Sequence, residues 1–117
     1  MTENRRRFIR FETEDILEVR PLPEIAKKIK VISKDFSLIG ICFFSEYQWE
    51  KGQVLLVEYF LPEELEPVKI KANVVWAEFV DEKKGFLVGV EILDIEEKNA
   101  EKFLHHYFKK VKEKFFE

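Results

Sequence analysis

Residues 68–92 read VKIKANVVWAEFVDEKKGFLVGVEI, and their spacing decides the fold class. Ile70, Ala72, Val74 and Trp76 alternate with Lys69, Lys71 and Asn73. Successive side chains of an extended chain point to opposite sides, so the pattern predicts a strand with one buried and one wet face. Asp81-Glu82-Lys83-Lys84-Gly85 is a polar hairpin loop ending in glycine, after which Phe86, Val88, Val90 and Ile92 resume the alternation.

Working outward, short apolar runs between turn residues predict strands at 12–20, 28–34, 38–44 and 53–61, with the quoted pair at 67–79 and 85–93. Six strands spaced in this way suit a sandwich or barrel. Val54 to Leu61 is apolar on both faces except at Glu58, which predicts cover on both sides. After Ile92 the period changes: Asp94 followed by Glu97 resembles a capping box and predicts a helix from about residue 94. Ala100, Phe103, Leu104, Tyr107, Phe108, Val111 and Phe115 recur at helical spacing, so this helix should close one end or face of the sheet. Phe108, Phe115 and Phe116 exceed what one core-facing stripe needs. Packing against the barrel is the favoured explanation, and a homodimer contact is the other.

The chain has 117 residues, 46% apolar and with 12 phenylalanines, enough for one packed core. Its net charge of -3 argues against a globally basic nucleic-acid binder. The charges are unevenly placed, because all five arginines (Arg5, Arg6, Arg7, Arg10 and Arg20) precede residue 21 while all fifteen lysines follow residue 26. Residues 1–10 therefore read as a mobile, Arg-rich arm, and 11–117 as a single domain. The single cysteine, Cys42, excludes an internal disulfide and a multi-thiolate zinc site. With no apolar leader and no run of membrane-spanning length, a cytoplasmic protein is expected.

Few residues invite catalysis. Four glycines (Gly40, Gly52, Gly85 and Gly89) form no phosphate-cradling loop. His105 and His106 are adjacent, so on a helix they diverge by about 100° and cannot share a metal as an i, i+4 pair would. They read as helix-surface or boundary residues. Cys42 lies within Ile41-Cys42-Phe43-Phe44 and reads as a small core hydrophobe. No enzyme, cofactor or metal site is expected. Two segments remain: Arg6-Arg7-Phe8-Ile9-Arg10, and Asp35-Phe36-Ser37-Leu38-Ile39-Gly40.

Taken together, Arg6-x-x-x-Arg10 and Asp35-x-Ser37-x-x-Gly40, separated by about one and a half strands, resemble the PilZ family. Arg5 supplies the further arginine of the RRxxxR form. Gly40 to Phe44, Gly52, Val75-Trp76 and the run Leu87 to Ile92 before a helix extend the similarity over essentially the whole chain. The resemblance implies a mainly β fold, a six-stranded antiparallel β-barrel with a C-terminal α-helix. It also implies binding of cyclic di-GMP, a bacterial second messenger, without chemistry, and transmission of the signal to a downstream protein.

The residue types suit that ligand. Cyclic di-GMP carries two phosphates and two guanines, and the arginine fork can bind either phosphate or the guanine O6/N7 edge while its flat face stacks on a base. Arg6 and Arg10 take these roles, with Arg5 auxiliary. Asp35 can accept from guanine N1–H and N2–H, Ser37 can donate or accept beside it, and Gly40 allows close approach. Binding should order residues 4–10, and the number of messenger molecules held, one or two, stays open. Two other readings are a PilZ-like protein-interaction module and, less favoured, a barrel binding single-stranded nucleic acid through the arm and exposed aromatics such as Tyr47 and Trp49.

Overall fold

The hairpin quoted above is the longest in the molecule: strand β6 runs Val68–Asp81 and β7 runs Gly85–Ile95. The other strands are β1 (Phe11–Glu12), β2 (Ile16–Pro21), β3 (Ile29–Phe36), β4 (Gly40–Ser45) and β5 (Val54–Tyr59), followed by helix α1 (Glu97–Phe115). The computed structural model describes residues 8–22 and 28–116. Every pairing is antiparallel, in the order β3-β2-β5-β6-β7-β4, and β4 returns to pair with β3. That last pairing closes six strands into a barrel and leaves no long edge. Two-residue β1 is added to the end of β3, where Phe11 faces Phe36 and Glu12 faces Asp35.

A straight 14-residue strand would run about 46 Å, too long for so small a barrel. Three register irregularities bend β6 against β7, so that its first part serves β5 while its whole length serves β7. One of them falls between Val74 and Trp76 and changes which side chains enter the core. Ile70, Ala72 and Val74 are buried as expected, but Trp76 is not part of the core and Ala77 packs against it instead. The even spacing that assigned Trp76 to the buried face fails here because the bulge inserts one residue.

The core is filled from both directions. Leu17, Val19, Phe43, Leu55, Val57 and Tyr59 point inward from the strands with no exposure. Phe103 and Tyr107 close the end nearest Phe36, whose ring lies 5.8 Å from Phe103, 6.0 Å from Tyr107 and 5.4 Å from the stacked His106 imidazole. His106 is thus a boundary residue, and burial lowers its pKa. Strand β5 is covered unevenly: Leu55, Val57 and Tyr59 are inside, while on the outer side Val54 and Leu56 are half-buried and buried Glu58 is paired with Lys28 at 2.6 Å.

Three further expectations need correction. Asp94 does not cap the helix, since it pairs with Lys71 in a ladder that carries β7 to Ile95. Helix α1 starts at Glu97, with Glu96 at the N-cap position and no side-chain cap bond. The helical phenylalanines do not all reach the barrel: Phe108, Phe115 and Phe116 are 55%, 54% and 75% exposed. Trp49 is buried rather than exposed, and its indole N–H donates to Ser45 Oγ at 3.2 Å, while Tyr47 lies open to solvent.

Candidate ligand-binding site

Strand β3 explains how the two motif segments meet. Val31 and Ser33 face inward, and a regular strand would send Asp35 the same way. A register shift between Ser33 and Asp35 adds one residue against β4, so Phe36 takes the inward position and Asp35 turns to the outer face. The motif therefore begins inside the strand, which extends to Phe36 rather than ending at residue 34.

Arg10 directly precedes β1, and the β1–β3 pairing sets it beside Asp35. Arg10 Nε and Nη2 both donate to Asp35 Oδ1, at 2.9 and 2.6 Å, and Nη2 reaches Cys42 Sγ at 3.5 Å. Lys34 adds a looser cation 3.7 Å from Asp35 Oδ2. Arg10 remains 32% exposed while Asp35 is 15% exposed, so this is a half-buried pair open to solvent on its arginine side. One residue earlier, the Ile9 carbonyl accepts from Tyr107 Oη at 3.0 Å, fixing the chain to α1 just before the guanidinium. Arg5 and Arg6 lie outside the described residues.

Ser37 and Gly40 build the turn between β3 and β4. Ser37 N–H donates to the Gly40 carbonyl at 2.8 Å, and its Oγ accepts from Ile39 N–H at 3.2 Å. Ser37 is fully buried, so in this arrangement its hydroxyl shapes the hairpin. A Cβ at Gly40 would lie 2.9 Å from the Val90 carbonyl oxygen and 3.6 Å from Arg10 Nη1. Glycine there lets the neighbouring strand and the guanidinium approach together.

The strand registers extend this site across the outer face. Asp35 faces Cys42, Cys42 faces Gly89 and Gly89 faces Trp76, one row over four strands. Ile41, Phe43, Val88 and Val90 belong to the core, which turns Cys42 and Gly89 outward. Trp76 covers Gly89 so closely that a Cβ there would come within 2.4–2.7 Å of the indole. The row thus has a carboxylate-arginine pair at one end, the small residue Cys42 beside it, and a half-buried indole lying over Gly89 at the other. Burial pushes the Cys42 thiol up to about 11, with nearby Asp35 adding to the rise and Arg10 opposing it. Cys42 is therefore an inert thiol at neutral pH, as a small buried residue should be, although it faces outward rather than into the core.

Sequence alone assigns Gly89 and Trp76 no role at this site and does not set Cys42 beside Arg10 and Asp35. Two signals were present: the apolar doublet Val74-Val75 interrupting an alternation, and a glycine in the middle of a strand. A cavity of about 690 Å³ lies further along the outer face of β3 and β4, lined by Glu12, Thr13, Glu14, Lys34, Phe44 and Lys84 among others. None of Arg10, Asp35, Ser37 or Gly40 lines it, and its lining balances Glu12 and Glu14 against Lys34 and Lys84. Among the described residues no group of three or more His, Cys, Asp or Glu is placed to hold a metal ion. No helix among them is long and apolar enough to cross a membrane.

Comparison with known proteins follows the same lines. The inhibitor of motility MotI/DgrA of Bacillus subtilis superposes with a TM-score of 0.74 at 17% identity, over 92% of this chain and 52% of that one. The chain thus spans about half the length of that relative. The PilZ domain of YcgR from Escherichia coli, solved with c-di-GMP, superposes with a TM-score of 0.66 at 15% identity, over 94% of this chain and 96% of that one. At such identities the likeness is one of fold. No curated protein matches the sequence. The PilZ domain profile matches residues 4–109, nearly the full length, and the chain belongs to the PilZ domain family.

Proposed function

We propose that this domain is a non-catalytic receptor for cyclic di-GMP, bound on the outer face of the barrel by Arg5, Arg6, Arg10 and Asp35. Ser37 and Gly40 hold the hairpin that supports them. The observation that carries this reading is the Arg10–Asp35 pair, which joins the two motif segments, 25 residues apart in sequence, on one open face. A guanidinium offers donors for phosphate or for guanine O6/N7, and a carboxylate accepts from guanine N1–H and N2–H. Both groups already sit side by side, so the ligand needs only to redirect hydrogen bonds that exist without it. The indole of Trp76, which lies over Gly89 at the far end of the row, offers an apolar surface on which a planar base can stack.

Of residues 4–10, Ile9 and Arg10 are already held by Tyr107 and Asp35, so the closing of residues 4–7 over the ligand is the proposed signal. The entropy lost by the arm is offset by charge-assisted contacts, each contributing about 1.5–3 kcal/mol. The rearranged rim is then presented to a downstream protein in the bacterial cytoplasm. Calorimetric titration with cyclic di-GMP should give saturable binding, with cyclic di-AMP and a linear guanine dinucleotide binding far more weakly. Arg10→Ala should lower affinity by about 10- to 100-fold with the fold retained. A folded protein that gives no heat with cyclic di-GMP would leave the protein-interaction module as the better reading.

A further inference from the structure

Helix α1 carries two apolar faces, and the barrel uses one. Phe103 and Tyr107 are buried against the strands. Leu104, Phe108 and Phe115 are all more than 40% exposed, and with half-buried Val111 they form a second stripe at spacings of four, three and four. That is the spacing of a helix–helix seam. The charges beside the stripe indicate what covers it. Exposed Glu101 and Lys112 are eleven residues apart, about three turns, so they lie on the same edge of the stripe. When two helices pair antiparallel, like edges meet. A two-fold axis midway between Leu104 and Phe108 sets Leu104 of one copy on Phe108 of the other, and Glu101 beside Lys112, twice. A parallel pair would instead crowd together the last turns, which hold Lys109, Lys110, Lys112 and Lys114 against the single Glu113.

We infer that the uncovered stripe of α1 is a self-association surface on which a second copy of this chain docks antiparallel, with reciprocal Leu104–Phe108 contacts flanked by Glu101–Lys112 ion pairs. The occupant is another copy because the stripe is charge-complementary to itself in this one direction. A 19-residue helix is about 28 Å long, so the seam covers on the order of 350 Å² per copy, well below a standard interface. The dimer is therefore weak, and only the upper part of a micromolar concentration range populates it.

Sedimentation velocity from roughly 5 to 500 μM tests this, the apparent mass rising toward twice the chain mass as concentration increases. Phe108→Asp should remain a monomer throughout with unchanged far-ultraviolet dichroism. Glu101→Lys and Lys112→Glu should each weaken association by about 3- to 10-fold, and the double charge reversal should restore it. A wild-type chain that stays monomeric at the highest concentration overturns the proposal. So does a dimer indifferent to Phe108→Asp, or a double reversal no stronger than its parent singles.

Discussion

Two rows of paired residues cross the barrel exterior, and they differ in kind. On one flank Lys30 faces Glu18, Glu18 faces Glu58 and Glu58 faces Lys69. No register shift interrupts these pairings within β2, β5 and the first part of β6. On the other flank Asp35, Cys42, Gly89 and Trp76 form a row flanked by register shifts in β3 and in β6. The regular row presents charges of both signs, with Lys30 and Lys69 exposed and Glu58 buried in its pair with Lys28. The irregular row sets Cys42 and Gly89 between an ion pair and an indole that lies over Gly89, and it is the face proposed for the ligand. Bulges move residues of chosen chemistry to a face that simple alternation would deny them.

The largest expected effect tests the inward side of the β3 bulge. Phe36→Ala should destabilise the fold by about 3–5 kcal/mol in chemical denaturation, because Phe36 is fully buried among Phe11, Tyr59, Phe103, His106 and Tyr107. A loss under 1 kcal/mol would mean that the bulge does not seat Phe36 as described. Next is alkaline stability. The Cys42 pKa is raised from 9.0 to about 11, so the folded state holds this proton more tightly than the unfolded chain. That contribution, on the order of 2–3 kcal/mol at most, is present below pH 9 and lost as pH rises toward 11. The wild type should lose more stability over that window than Cys42→Ala, and equal losses would place the thiol in water.

The third test joins the far end of the row. Gly89→Val should cost about 1–3 kcal/mol by driving a side chain into the indole of Trp76, and Trp76→Ala in the same chain should recover part of it. Strict additivity of the two changes would separate these residues. The smallest effect belongs to the regular row. Glu18→Gln should alter stability by no more than about 0.5 kcal/mol and leave cyclic di-GMP affinity unchanged, since it breaks only cross-strand surface charge pairing. A fall in affinity there would erase the distinction between the rows.

Much of the barrel was legible because inward and outward residues alternate in β2 and in β6 as far as Val74, and that period follows from backbone geometry alone. Asp35, Ser37 and Gly40 were legible as a unit through the spacing Asp35-x-Ser37-x-x-Gly40 that resembles the PilZ motif, whereas the hairpin that Ser37 and Gly40 build was not. Trp76 was misplaced for the opposite reason: one inserted residue changes the face of everything beyond it and leaves composition untouched. Asp94 was misread because a capping residue and a strand residue can share one side chain, and only the β6 partner Lys71 decides between them. Hydrophobicity predicted that Phe108 and Phe115 want cover, but it did not say that the barrel leaves them uncovered.

Backbone amide chemical shifts followed during titration with cyclic di-GMP test the central claim most directly. Shifts should concentrate at Arg10, Asp35, Gly40, Cys42, Gly89 and the indole of Trp76, leaving Glu18, Lys30, Glu58 and Lys69 unmoved. A saturating titration that moves the charged row instead, or moves neither, contradicts the placement of the ligand on the irregular face.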